Sequence, residues 1–254
     1  YFDTLCQWVE NQLHTLQVDQ SHLLGIGISI QGLVAPDGIS IVFSPLQEGV
    51  MLTDFSARLS YPCVMIHDVE AAAAAEIWYQ PDLKDAVYIS LNRNMGGALI
   101  VNGAVHTGSH YSSATVEHMC IHPKGRKCYC GKQGCLEVYC SALALQQDAD
   151  ENAEQFFFNL RLGRQKETSI WEEYLRNLAL AIDNMRMVIR SDILIGGYLQ
   201  SYMTPEDIEK IKQYVHEQTF FKVDDLHIKS SLCGEKATAI GCALHYIKQF
   251  LQSV

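Results

Sequence analysis

The residues best suited to chemistry lie in one short run, from His118 through Cys128 and Cys130 to Cys135, which spells His-x9-Cys-x-Cys-x4-Cys. One imidazole and three thiolates make a full tetrahedral shell for zinc, an ion that favours soft sulfur and imposes no geometry of its own. Four protein ligands leave no open position for a catalytic water, so the expected zinc is structural. Gly125, Gly131 and Gly134 punctuate the run and let the backbone turn tightly enough to gather the donors. A redox pair or ordinary buried thiols is the competing reading, and Cys120 and His122 stand nearby as spare donors.

A second chemical feature is His67-Asp68, which directly follows the apolar run Cys63-Val64-Met65-Ile66. A carboxylate at the carboxyl end of a buried strand is where open α/β sheets bind ligands. Asp68 also opens an alanine-rich stretch to about Tyr79, so a helix cap is the alternative. His67 is a ligand contact or simply a packed imidazole. Glu137, just after the cysteine cluster, reads by itself as an acid favoured at a helix N-terminus.

The elements that must position these groups are visible as hydrophobic patterns. Phe2, Leu5, Val9, Leu13 and Leu16 predict a helix over 2–16, and residues 23–30 predict a buried strand that ends at Gly32 and the Pro36-Asp37-Gly38 turn. Residues 86–91 and 98–101 predict two strands joined through Asn92-Arg93-Asn94-Met95-Gly96-Gly97. A helical period runs from Trp171 to Ile189, followed by a strand at 192–195 and Gly196-Gly197. Thr204-Pro205-Glu206-Asp207 is a helix start, and the last helix is expected from about Glu235 to Phe250. Strands alternating with helices predict an α/β fold.

Composition bounds the function. The chain has 254 residues with 48% hydrophobic content, enough for a substantial core. A net charge of -10 works against a stable grip on nucleic acid, and Lys124, Arg126 and Lys127 make only a small basic loop. Nine cysteines without a secretion signal speak against a disulfide framework and for a cytoplasmic protein. No apolar stretch is long enough for a membrane span.

The cysteine cluster, continued by Leu136-Glu137, resembles the signature of the ROK (repressor, open reading frame, kinase) family, in which Gly-Glu-x-Gly-His precedes Cys-x-Cys-Gly-x-x-Gly-Cys-Leu-Glu. The similarity extends over nearly the whole chain. Gly25-Ile26-Gly27-Ile28 with Gly32 resembles the family's first sugar-side loop, His67-Asp68 its Asn-Asp catalytic segment, residues 87–103 its phosphate loop and Gly196-Gly197 its adenosine-side glycines. The resemblance implies an actin-like (ribonuclease H-like) sugar-kinase fold, with two α/β domains around a cleft. The first would hold residues 1–84 and 238–254, and the second 85–237 with the zinc site. It implies a sugar site of Gly32, His67, Asp68, Thr115, His118 and Glu137. In the family's kinases the matching aspartate takes the proton from the attacking sugar hydroxyl.

The chain departs from the family pattern where nucleotides bind. Gly-Thr-Gly-x-Gly corresponds to Asn92-Arg93-Asn94-Met95-Gly96, and the third adenosine-side glycine is Tyr198. Phosphate cradles need close backbone N–H groups, so ATP and magnesium are not expected to bind. His67 stands where the family has Asn, Thr115 where it has Glu, and Gln31 where it has Pro. The family's Asp-x-Gly-Gly-Thr motif is not found, so the first domain is expected to be truncated at its N-terminus. These features resemble the regulator branch, the xylose and N-acetylglucosamine repressor type. The expectation is a sugar-binding and dimerising region that assembles as a homodimer or tetramer and reaches DNA only through a helix-turn-helix outside this sequence. The alternative is a sugar kinase of the glucokinase or N-acetylmannosamine kinase type.

Overall fold

The structure, a computed structural model, describes residues 1–35, 38–43, 49–109, 112, 114–220 and 226–253. The chain opens with helix α1 (Phe2–Thr15), whose apolar stripe packs Phe2 and Cys6 onto Phe55, with the Phe2 and Phe55 rings edge to face at 5.1 Å. A 3-10 turn (Gln20–His22) leads to strand β1 (Ile26–Ile30), so Leu23 and Leu24 precede the expected strand instead of forming its start. A small antiparallel ribbon follows, β2 (Leu33–Val34) with β3 (Ile41–Phe43), and then the short helix α2 (Thr53–Ser56). Within the expected turn, Pro36 and Asp37 lie outside the described residues.

Strand β4 (Cys63–His67) pairs in parallel with β1, from Ile26 opposite Cys63 to Ile30 opposite His67. It continues without a break into helix α3 (Asp68–Tyr79). Ala71 to Ala75 give this helix a strong intrinsic tendency and a thin profile.

The second sheet begins with β5 (Ala86–Leu91), buried along its whole length, then β6 (Met95–Val101) and β7 (Ala104–His106). Strand β6 starts three residues earlier than its pattern predicts, because Met95, Gly96 and Gly97 pair with Leu91, Ser90 and Ile89. The expected phosphate loop is therefore a tight connection of Asn92, Arg93 and Asn94. After the cysteine segment come helices α4 (Glu137–Cys140), α5 (Ala142–Ala149), α6 (Ala153–Arg161) and α7 (Gln165–Arg186). Strand β8 (Asp192–Gly196), helix α8 (Pro205–Gln218) and strand β9 (Ile228–Ser230) complete this part. Helix α8 starts with the expected cap: Asp207 accepts a hydrogen bond from the Thr204 N–H at 2.8 Å, within a reciprocal capping box.

The sheet order is β7-β6-β5-β8-β9, parallel where β8 meets β5 and β9 and antiparallel elsewhere. One face buries Ile89, Ile193 and Ile195 under Phe156, Trp171, Leu175 and Ile182. The other face packs Tyr88, Ala98, Ile100 and Leu194 against Val69, Ala72 and Ala73 of α3. The last helix, α9 (Ala237–Ser253), returns to pack on α3 and β1. Gly241 touches the Ala71 backbone so closely that a Cβ there would collide with its carbonyl. Helix α3 thus lies between the two sheets and carries Asp68 at its first position.

Candidate functional site

The four expected zinc donors converge. One donor atom from each of His118, Cys128, Cys130 and Cys135 lies within 4.8 Å of the others. The His118 Nδ1 to Cys128 Sγ and Cys130 Sγ to Cys135 Sγ separations are both 3.7 Å. A tetrahedron with metal–sulfur bonds of about 2.3 Å has edges of about 3.8 Å, so the spacing suits a zinc-sized ion. Burial pushes the Cys135 thiol up to about 12, whereas the Cys130 thiol, which burial alone would raise, is held below its usual value by hydrogen bonds from the Lys132 backbone and the neighbouring thiols. The turn is fixed by bridges pairing Cys120 with Cys135 and Lys127 with Gln133. Gly134, at φ +75°, sits against the His122 carbonyl, where a side chain would clash. The two spare donors are occupied elsewhere: Cys120 Sγ contacts the Gln133 carbonyl at 3.4 Å, and His122 Nε2 meets Asn177 Oδ1 at 2.7 Å.

Beside this centre lies a cavity of about 60 Å3, walled by Gln31, Gly32, Leu33 and Phe43 on one side and Met95 and Gly96 on another. His67, Asp68, Thr115, Glu117, His118 and Tyr129 supply the rest of its wall. The end of β4 delivers His67 and Asp68, and a 3-10 turn (Val116–His118) delivers Glu117 and His118. His118 bridges both features: Nδ1 faces the thiolates while its ring stacks edge-on with Tyr129 at 5.3 Å.

The wall is electrostatically loaded. Asp68 Oδ1 accepts the Val69 N–H at 2.9 Å, so it satisfies one free donor of the first turn of α3 while facing the cavity. Burial is the main cause holding its carboxyl above the usual value, opposed by His67. Burial alone would lower the His67 pKa, but the carboxyls of Glu70 at 3.9 Å and Asp68 at 3.6 Å, together with Glu117, outweigh it and leave it raised. Burial likewise pushes Glu117 up to about 7, with Glu137 and Asp68 adding to the shift and His67 opposing it. Glu117 Oε2 is buried with no hydrogen-bond partner among the described residues. Neither Glu117 nor Tyr129 was expected at the site. The only hint in the sequence was their position next to a metal ligand.

Glu137 is brought near but not onto the wall. It is 2% exposed, and its two oxygens accept from Asn94 Nδ2 and Met95 N, each at 2.8 Å. Its carboxylate therefore holds the Asn92–Asn94 connection in place. Asn92 in turn donates to Ser90 Oγ at 2.9 Å and accepts the Tyr198 N–H at 2.8 Å. The two segments expected to face phosphate and adenosine are thus hydrogen-bonded to each other.

Comparison with known proteins adds three relatives. The model of the ROK family matches residues 1–249. The xylose repressor of Caldicellulosiruptor bescii is 21% identical over 254 residues, covering 90% of this chain and 64% of that protein. The chain thus spans less than two thirds of this relative's length. A ROK family glucokinase from Streptomyces griseus, solved with glucose and AMPPNP, superposes with a TM-score of 0.81 at 20% identity, over 88% of this chain and 81% of the other. A ROK family transcriptional regulator, a homologue of the E. coli MLC protein, also gives 0.81 at 24% identity, over 97% of this chain and 68% of the other.

Proposed function

The chain belongs to the ROK family and has its actin-like α/β fold, and from that premise we propose that it is the sugar-binding and dimerising region of a transcription regulator. The observation that carries this reading is the composition of one cavity. Gly32, His67, Asp68, Thr115 and His118 come from three separate stretches of the chain and share its wall. Vicinal hydroxyls of a sugar match such a set of carboxylate and imidazole groups. Zinc, held by His118, Cys128, Cys130 and Cys135, would supply rigidity, fixing His118 through Nδ1 so that its other nitrogen is free for a hydroxyl.

In this reading residues 1–84 with 238–254 form one domain and 85–237 the other. The cavity lies between residues of both and is partly open to solvent. A sugar bound here would touch both domains and so bias their closure. That coupling is what a sensor needs. A net charge of -10 does not suit a phosphate backbone, so DNA contact is assigned to a part of the protein other than these residues.

A sugar kinase is the second reading, favoured by Asp68 standing at the strand end, where a general base would act. Against it stand the Asn92-Arg93-Asn94 connection and Tyr198, which replace glycines of the family's nucleotide-side pattern and are joined by the Tyr198 N–H to Asn92 Oδ1 hydrogen bond.

A thermal-shift panel tests the sensor. A sugar present at a hundred times its Kd adds about 2.7 kcal/mol, which raises Tm by roughly 5–10 °C for a chain of this size. A flat response to glucose, xylose and N-acetylated hexosamines contradicts the proposal.

A further inference from the structure

We propose that Glu117 makes this cleft selective for sugars without negative charge, its free Oε2 accepting a hydrogen bond from the bound sugar. The inference rests on the reading of the cavity as a sugar site. Buried polar atoms nearly always have a partner, so an unpartnered one on a cavity wall is a place where a water or a ligand atom can be received. Glu117 Oε2 is such an atom: it is buried, no described residue bonds it, and its residue lines the cavity. Thr115, two residues earlier on the same wall, offers a hydroxyl and no charge, so the carboxyl function on this side belongs to Glu117.

The charge distribution sets the selectivity. Asp68 and Glu117 share the wall, and Glu137 lies behind it. A zinc ion bound by three thiolates and one imidazole is itself a net anion. No Lys or Arg lines the cavity among the described residues. A phosphate or carboxylate on the sugar would meet these groups with only His67, already shared by Glu70 and Asp68, to offset them. Hydroxyl or ammonium donors, by contrast, find acceptors on both sides.

The test is calorimetry with matched pairs, glucose against glucose 6-phosphate and N-acetylglucosamine against its 6-phosphate. The wild type should bind the uncharged member at least tenfold more tightly. Glu117→Ala should weaken that binding on the order of tenfold or more. Glu117→Gln keeps the shape and removes the charge, so it should narrow the preference between the members of each pair. Zinc content and Tm of each variant establish that it is folded. Equal or tighter binding of a sugar phosphate by the wild type overturns the proposal, as does an unchanged preference in Glu117→Gln. If a sugar binds but Glu117 proves indifferent, only this inference falls. If the wild type binds no sugar, the sensor reading falls as well.

Discussion

The carboxylate of Glu137 accepts a hydrogen bond from the Asn94 side chain at 2.8 Å, across 43 residues of sequence. Its other oxygen takes the Met95 N–H at the same distance. A buried acid with both oxygens engaged this way is a strut, because removing it strands two donors. Glu137→Ala is expected to lower stability by at least about 2 kcal/mol, or roughly 4–8 °C in Tm. Thermal unfolding without any added sugar checks this. An unchanged Tm would show that the connection holds itself.

Zinc should be present at about one per chain by elemental analysis. Cys130→Ser, or removal of the metal by a strong chelator, should lower Tm by several degrees. Structural zinc contributes roughly 10 kcal/mol or more in small finger peptides, and a larger domain depends on it less. A metal-free preparation that melts unchanged would contradict the tetrahedral reading of the donor spacing.

Glu76 makes a third expectation. It is fully buried and accepts from Ser231 Oγ and from the backbone N–H groups of Leu232 and Cys233. It ties α3 to the segment that leads into α9, on the same helix that presents Asp68. Glu76→Ala should cost about 3 kcal/mol or more in denaturant unfolding. A loss below about 1 kcal/mol would mean that those donors find other partners.

These results also show what the residues alone could and could not reveal. The gathering of His118, Cys128, Cys130 and Cys135 was legible because all four fall in one local run. Strands β1 and β4 were legible as short apolar runs, though the burial expected of them holds only at Ile30 and Met65, while α3 was legible from its alanines and α7 from its helical period. The ribbon of β2 and β3 was not, since strands of two and three residues are too short to show a period. Helix α5 has only eight residues, with its polar ones, Gln146, Gln147 and Asp148, bunched towards one end, so no helical period shows in its pattern. The role of Glu137 depends on Asn94 and Met95, distant in sequence, and Glu117 became visible only once burial and the cavity wall were known.

Phosphoryl transfer should be absent. Catalysis of that step comes from preorganised donors around the phosphates, and Asn92, Asn94 and Tyr198 replace the glycines that would let backbone N–H groups approach them. Incubation with ATP, magnesium and a sugar panel is expected to give no sugar phosphate above background. Turnover on any one sugar would favour the kinase reading.

The central claim is that Asp68 grips a sugar, and calorimetry of wild type against Asp68→Ala tests it most directly. Loss of a hydrogen bond to a charged group weakens binding roughly 10- to 100-fold. Because Asp68 also accepts the Val69 N–H, the variant should lose about 1 kcal/mol of stability whatever its other role. The account predicts that the wild type binds at least one of glucose, xylose or an N-acetylated hexosamine, and that Asp68→Ala, with its zinc intact, loses that binding. Sugar affinity that survives in Asp68→Ala would reduce Asp68 to a helix-end acceptor and contradict the account.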